Sequence, residues 1–545
     1  MRRLPLRHLL RSLLAAALLP AALLLAPARL TAQRGGAAAT PAPGGPAAKP
    51  TLVLFLTIDQ LSSDYLERYG GNLTGGLKRL RDDGAFWLRG LHDHAITETA
   101  PGHATTMSGR FPVHTGISSN SQGVNTADAP LIGSGDAGAS PFRFQGTTLL
   151  DWMLAANPAT RSLSVSRKDR GAILPFGRVK THVYWFASNG QFTTSRYYRD
   201  TLPTWVTRFN ARKVPQSYAG VAWTPLLADD RYAEPDSVNV EADGDYTFPH
   251  RLARDTTRAA RDFRDWPWMD SLTLGFALEG VRALQLGADA GRTDLLAVSL
   301  STTDAVGHRY GPDSKEIHDQ ILRLDRYLGQ FLDSLIALRG TGRILVALTA
   351  DHGVQPLPEL RSPYYANHDA QRVDAAPAWR ATYAALRAAG VDTAAVDGDD
   401  GFRVRDAEAF RRAHVDPDAI AALWAREMNR LNGVARAALL SELAQADTVH
   451  DDAARRWLHM MPLDGPVRAV VTLEPFAYWK TVTYATHGTP NDSDAQVPIL
   501  FWGPGIAAGH RAGQARVVDM APTLAQRLGI RPLEPLDGKP LPLTP

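Results

Sequence analysis

Three stretches of the chain share one grammar, a continuous apolar run that ends in acids or imidazoles: TLVLFLTID at 51–59, DLLAVSLSTTD at 294–304 and RILVALTADHG at 343–353. Uninterrupted apolar runs of this length fit strands buried on both faces, as parallel sheets require. A fourth run, VPILFWG at 497–503, lies near the end of the chain. Between the second and third runs, Ile317, Ile321, Leu324, Leu328, Phe331 and Leu335 recur at alternating intervals of four and three, which predicts an amphipathic helix closed by Gly340. Strand, helix, strand in that order predicts a right-handed crossover. The expected fold class is therefore α/β, with a mostly parallel central sheet flanked by helices.

Two regions break this grammar. Residues 171–290 are rich in aromatics and contain HVYWFASNGQFTTSRYY, where Asn189-Gly190 between strand-like runs reads as a hairpin turn. Residues 357–480 mix helical and irregular stretches, including the charged RDAEAFRRAHVDPDAIAALWAREMNRL. Both read as insertions forming a lid or rim on one body that runs from residue 51 to residue 545. No internal repeat is visible.

The N-terminus follows a different logic. Arg2, Arg3, Arg7 and Arg11 precede or open the run SLLAAALLPAALLLA, and small residues follow in APARLTAQ, so residues 1–32 read as a secretory signal cleaved after Ala32 or Ala28. An uncleaved anchor is the alternative, but the run contains Pro20 and is short for a membrane span. Residues 33–50, QRGGAAATPAPGGPAAKP, carry almost no large apolar side chain and read as a disordered tether. The expected location is periplasmic or secreted, with no membrane span once the signal is removed. The formal charge of +3 comes from that leader: without its five Arg the chain has 54 basic against 56 acidic residues, so the balance implies no nucleic-acid partner. Cysteine is absent, which excludes disulfides, thiolate metal sites and a Cys nucleophile. Any metal must be held by His, Asp and Glu. Nothing in the pattern speaks to oligomeric state.

The polar residues after the strands carry the chemistry. Asp59 ends the first run, Asp304 and His308 follow the second, Asp351 and His352 follow the third, and His487 sits in the loop THGTPNDSD. Singly, an Asp after a strand caps the next helix or turn, and a loop His is simply exposed. Jointly they deliver carboxylates and imidazoles to one sheet edge, as an oxygen- and nitrogen-liganded metal centre requires. Adjacent strand residues face opposite ways, so Asp351 and His352 share a centre only if the backbone bends, which Gly353 permits. The DxxxH pair Asp304 and His308 needs a turn after its strand. Three His and three Asp suffice for two divalent ions, which in pairs about 4 Å apart clamp both oxygens of an in-line displacement.

TETAPGHATT, residues 97–106, places Thr99 two residues before Pro101. One reading is an N-cap; the other is a hydroxyl at a helix N-terminus, where an anion is favoured, activated by a divalent metal as a nucleophile. SRKDRG places Lys168 and Arg170 two apart, on one face if extended, where both reach one phosphoryl group; the alternative is a solvated basic turn. Asn120 in GISSNSQG reads as a turn residue or a donor to a phosphate oxygen. His103 and Thr97 flank this group without an assigned role.

Taken as an ordered set, Asp59, TAPGH with Thr99, Asn120, Lys168-x-Arg170, DAVGH at 304–308, ADHG at 350–353 and HGT at 487–489 resemble the alkaline phosphatase superfamily, and within it periplasmic bacterial phosphatases with a threonine nucleophile, relatives of the type I phosphodiesterase/nucleotide pyrophosphatases. The resemblance runs from about residue 51 to the terminal VVDMAPTLAQRLGI and is loose in the two insertions. It implies two Zn2+, one held by Asp304, His308 and His487, the other by Asp59, Asp351 and His352 beside Thr99. It further implies that Thr99 attacks phosphorus to give a phosphothreonine, and that Asn120, Lys168 and Arg170 grip the non-bridging oxygens.

The function expected is a zinc phosphomonoesterase acting on small-molecule phosphate esters. The Lys/Arg pair favours monoesters, because the dianion exposes more charge than a diester. A nucleotide pyrophosphatase or phosphodiesterase of the same superfamily is the alternative enzyme, and a catalytically silent, metal-stabilised surface binding protein is the alternative outside enzymes. A sulfatase usually draws its nucleophile from a Cys, which this chain lacks.

Overall fold

The first apolar run forms β1 (Leu52–Ile58), buried along its whole length. The structure is a computed structural model and describes residues 49–236, 246–359, 371–398 and 400–544. After β1 come β2 (Ala85–Leu91), β3 (Ser162–Ser166), β4 (His182–Phe186), β5 (Phe192–Thr193), β6 (Asp294–Leu300) and β7 (Ile344–Thr349). A second, antiparallel sheet follows, made of β8 (Val396–Asp397), β9 (Gly401–Val404), β10 (Val434–Leu439) and β11 (Val467–Leu473). The central sheet is completed by β12 (Gln496–Trp502) and β13 (Gly509–His510) and runs in the order β13-β2-β12-β7-β1-β6-β3-β4-β5. Six helices bear on the argument: α1 (Thr99–Ser108), α2 (Asp169–Ile173), α3 (Trp268–Ala283), α4 (Thr302–Tyr310), α5 (Lys315–Arg339) and α6 (Asp452–Met460).

Strand register decides where the polar ends fall. Thr57 of β1 lies level with Ser299 of β6 and Thr349 of β7, and Ser299 in turn with Ser166 of β3, so four parallel strands end together. β12 runs the other way, with Leu500 opposite Leu348. Residues that precede β12 therefore arrive at the same edge as residues that follow the parallel strands. This antiparallel strand, whose orientation the apolar pattern does not encode, is what brings the 487 loop to the site.

The crossover helix α5 forms as its periodicity predicts. Ser314 Oγ accepts from Ile317 N at 3.1 Å at its start, and the chain leaves it at Gly340 with φ +85°. All six periodic apolar residues are at most 4% exposed, and their burial contributes on the order of 10 kcal/mol against the entropy of ordering them. α1 is different: all ten residues are buried. It threads the core, and its extra polar groups are satisfied internally, Thr105 Oγ1 donating to Pro101 O at 2.9 Å and Ser108 Oγ to Ala104 O at 2.6 Å.

The hairpin at Asn189-Gly190 is present, with Ala187 N donating to Gln191 O at 2.8 Å and Gly190 at φ +81°. Its strands are β4 and β5, which extend the central sheet, so part of the segment read as an insertion is sheet edge. The 357–480 region supplies the second sheet with its own buried cluster, and α6 is tied to the body by Arg455 Nε to Asp93 Oδ1 at 3.0 Å and Arg456 Nη2 to Asp492 Oδ1 at 2.7 Å. Pro50, read as tether, is buried and accepts from Thr293 Oγ1 at 2.6 Å, so the fold begins there. The signal and residues 33–48 of the tether lie outside the described residues. Among the described residues no helix is long and apolar enough to cross a membrane.

Candidate active site

The level strand ends gather the predicted ligands. His308 Nε2 lies 3.1 Å from Asp304 Oδ1 and 3.3 Å from His487 Nε2, and His487 Nε2 lies 3.6 Å from Asp304 Oδ1. On the other side, His352 Nε2 lies 3.4 Å from Asp59 Oδ1 and 3.6 Å from Asp351 Oδ2. The two sets adjoin, with the His352 and His487 rings stacked at 3.5 Å. Asp304, His352 and His487 also offer ligand atoms within 4.8 Å of one another, as do Asp59, Asp351 and His352.

Local structure delivers these side chains differently from what spacing alone implied. Asp304 and His308 sit four apart on α4, on one helix face, where a turn was expected. Asp351 and His352 lie beyond the end of β7, so strand alternation does not separate them. Gly353 is needed there for close approach: a Cβ would stand 2.2 Å from Ser493 O, while its N–H donates to Asp494 O at 2.7 Å.

All three histidines are oriented by backbone carbonyls. Nδ1 donates to Ala485 O at 2.6 Å in His308, to Thr97 O at 2.7 Å in His487 and to Gly353 O at 3.0 Å in His352. A carbonyl only accepts, so each neutral ring carries its proton on Nδ1 and presents a lone pair from Nε2. Two such lone pairs, on His308 and His487, face each other across 3.3 Å. Among the described residues Asp59 Oδ1 and His352 Nε2 are buried without a hydrogen-bond partner. Three buried carboxylates, Asp59, Asp304 and Asp351, face one ammonium, Lys168. Such a donor set fits divalent cations, which satisfy the inward lone pairs and reverse the excess negative charge.

Electrostatics within the cluster are steep. Burial works to raise the Asp304 carboxyl, but Lys168 and His308 outweigh it and hold it well below the usual range. Burial likewise works against ionisation of Asp351, and His352 with His103 overcomes it. His352 resists burial through Asp351 and Asp59 and is pushed up to about 9, whereas burial and the neighbouring His352 push His487 down to about 3.

Thr99 stands at the join. It is the first residue of α1, and Glu98 holds the cap position, which corrects the N-cap reading. Thr99 Oγ1 accepts from Lys168 Nζ at 3.1 Å, and that ammonium is 2.7 Å from Asp59 Oδ2 and 2.7 Å from Asp304 Oδ2. Asn120 has the turn of its first reading, with Gly123 N donating to its carbonyl, and its Oδ1 accepts from Ala100 N at 2.9 Å, satisfying a helix N-terminal donor. Lys168 and Arg170 do not share an extended face. Lys168 is the cap residue of α2 and Arg170 lies inside that helix, half-buried, with Asp169 its nearest ion-pair partner at 3.6 Å. α2 packs against α1, yet among the described residues no hydrogen bond or ion pair joins Arg170 to Thr99.

Sequence reasoning missed Gln60 and left His103 and Thr97 unassigned. Gln60 donates its backbone N–H to Asp351 Oδ1 at 3.1 Å and its side-chain amide to Asp304 Oδ1 at 3.2 Å, linking the two sets. It does so at φ +64°, unusual for a residue other than glycine, and Gly307 leaves the space: a Cβ there would meet Gln60 Oε1 at 1.7 Å. His103 Nδ1 lies 2.9 Å from Thr99 O and 3.1 Å from Asp351 Oδ2, and its Nε2 lies 2.8 Å from Ser299 Oγ. Thr97 holds the 487 loop, its Oγ1 donating to Thr489 O at 2.9 Å. The helical interval from Thr99 to His103 was the only signal for the second of these.

The chain is similar to known proteins in sequence and in structure. A sequence model of the type I phosphodiesterase / nucleotide pyrophosphatase family matches residues 53–454. The chain is 33% identical to alkaline phosphatase PhoK of Sphingomonas sp, over 91% of this chain and 92% of that one. It is 30% identical to alkaline phosphatase PhoV of Synechococcus elongatus, over 89% and 91%. A crystal structure of wild type alkaline phosphatase PafA aligns with a TM-score of 0.82 at 28% identity, covering 91% of this chain and 99% of that chain.

Proposed function

Since the chain belongs to the type I phosphodiesterase / nucleotide pyrophosphatase family, matching it over residues 53–454, we propose that it is a metal-dependent alkaline phosphatase that hydrolyses small-molecule phosphate monoesters with Thr99 as nucleophile. The observation that carries the reading is the position of Lys168 Nζ, 3.1 Å from Thr99 Oγ1 and 2.7 Å from one carboxylate of each ligand set. A cation placed there meets the extra charge of a monoester dianion as it approaches the hydroxyl.

Asp304, His308 and His487 would hold one Zn2+, and Asp59, Asp351 and His352 the second. When bound, the pair supplies Lewis-acid charge to the attacking and leaving oxygens. The chain's own groups do the rest. Thr99 Oγ, held at the start of α1, attacks phosphorus and forms a phosphothreonine while the alcohol departs; water then cleaves the new ester. Lys168 and the Asn120 amide orient the non-bridging oxygens, with Arg170 on α2 as a third donor. His103 and Gln60 hold Asp351, and Gln60 holds Asp304. The N-terminal leader reading gives a periplasmic or secreted location.

The second reading, a phosphodiesterase, is favoured by the family's own description. Initial rates on phenyl phosphate and on its methyl diester separate the two. A monoester preference supports the proposal, and a large diester preference replaces it with the second reading.

A further inference from the structure

Resting on that phosphomonoesterase reading, we infer that the cavity between Asn120 and Arg403 is a leaving-group subsite, selecting monoesters whose alcohol carries a flat apolar segment and, beyond it, a second anionic group. The cavity holds about 280 Å³. One wall is the loop of Asn120, whose Oδ1 is fixed to Ala100 N, one residue past Thr99, and the wall continues through Glu98, one residue before it. The lining therefore includes the residue just before the nucleophile and the side chain that holds the backbone just after it.

The facing wall comes from the second sheet and α6. Trp457 of α6, Met461 just past its end and Val470 of β11 make its apolar part, joined by Ile96 from the Glu98 side, each less than one-tenth exposed. Trp457 spends its indole N–H on Thr472 Oγ1 at 2.9 Å, so what it offers the cavity is ring surface. A flat apolar group gains both area burial and stacking there.

Among the described residues Arg403 on β9 is the only Lys or Arg in the lining. Among the described residues it makes no ion pair and no side-chain hydrogen bond. Each acid of the lining accepts a neutral donor at one oxygen, Glu98 Oε2 from Asn120 N at 2.6 Å and Asp400 Oδ1 from Trp479 Nε1 at 2.7 Å, and neither is ion-paired to Arg403. A guanidinium so placed binds a carboxylate or phosphate through two parallel N–H bonds. Arg403 also lines an adjoining cavity of about 260 Å³, which leaves room beyond the anion for a longer alcohol.

The test is steady-state kinetics of the metal-loaded full chain on phenyl phosphate, 4-carboxyphenyl phosphate and 1,4-phenylene bisphosphate, comparing wild type, Arg403→Met and Arg403→Lys. The inference predicts that Arg403→Met lowers kcat/KM for one or both anionic esters about tenfold more than for phenyl phosphate, a loss typical of one charge-assisted contact. Arg403→Lys recovers part of that selectivity, and the ester with the larger loss tells carboxylate from phosphate. An equal fall on all three substrates, or unmoved ratios, overturns the subsite. Wild-type turnover of phenyl phosphate tests the underlying reading separately: if it is absent, that reading fails and the subsite with it, whereas turnover with unmoved ratios sinks the subsite alone.

Discussion

Gln60 donates its side-chain amide to Asp304 Oδ1 at 3.2 Å, from a backbone held at φ +64°. Since its N–H also reaches Asp351 Oδ1, one residue orients a carboxylate in each ligand set. Removing the amide in Gln60→Ala is expected to weaken metal binding about 10- to 100-fold, the usual scale for a partner of a metal ligand. Gly307→Ala should do much the same by displacing the amide, and the double variant should be no worse than either single one. Zinc affinity measured by competition with a chelator checks this, and additive losses would show that the two residues act independently.

Lys168 is the one ammonium among three buried carboxylates. Lys168→Ala is expected to lower kcat/KM for a phosphate monoester by about 10²- to 10³-fold, the scale for losing one charge-stabilising donor, and to cost a diester less. Parallel kinetics on the two esters decide it, and equal losses would assign Lys168 to holding the site together.

His352, pushed up to about 9 by Asp351 and Asp59 against the effect of its burial, is protonated at pH 7 in the metal-free protein. A metal takes the place of that proton, so affinity should rise about tenfold per pH unit up to about pH 9 and level off above it. Because the folded value lies above the ordinary histidine value near 6.5, the metal-free protein draws stability from this group that is complete below about 6.5 and lost as pH rises through 9. Thermal melts of stripped and zinc-loaded protein from pH 6 to 10 test both statements, since only the stripped form should weaken over that interval.

Much of this site is legible along the chain because parallel strands state their ends plainly: Asp59, Asp304 and Asp351 each close or follow an apolar run, and register then aligns them. What sequence spacing misstated is the local geometry of short polar segments. Thr99 reads as a cap and is the first helical residue, because Glu98 takes the extended conformation before it. Lys168 and Arg170 read as extended neighbours, yet a helix begins at Asp169. β2, AFWLRGL, has no legible apolar run because Arg89 and Gly90 interrupt it, although it pairs with β12. Gln60 carried no signal at all, since a left-handed glutamine is set by tertiary contacts with Gly307 and the two aspartates.

Thr99→Ala should leave zinc content at about the wild-type level while abolishing turnover, because Thr99 adds an oxygen to a centre whose other six donors remain. Thr99→Ser keeps the hydroxyl and should retain measurable activity. Metal analysis of both variants alongside their kinetics checks this, and loss of zinc in Thr99→Ala would make the residue structural.

The central claim, that Thr99 carries the phosphoryl group between alcohol and water, is tested most directly by the stereochemistry at phosphorus. With a monoester made chiral by oxygen isotopes and an acceptor alcohol in place of water, two successive in-line displacements give net retention, and that is the predicted result. Net inversion would mean that the acceptor attacks the substrate directly, with no phosphothreonine on the path.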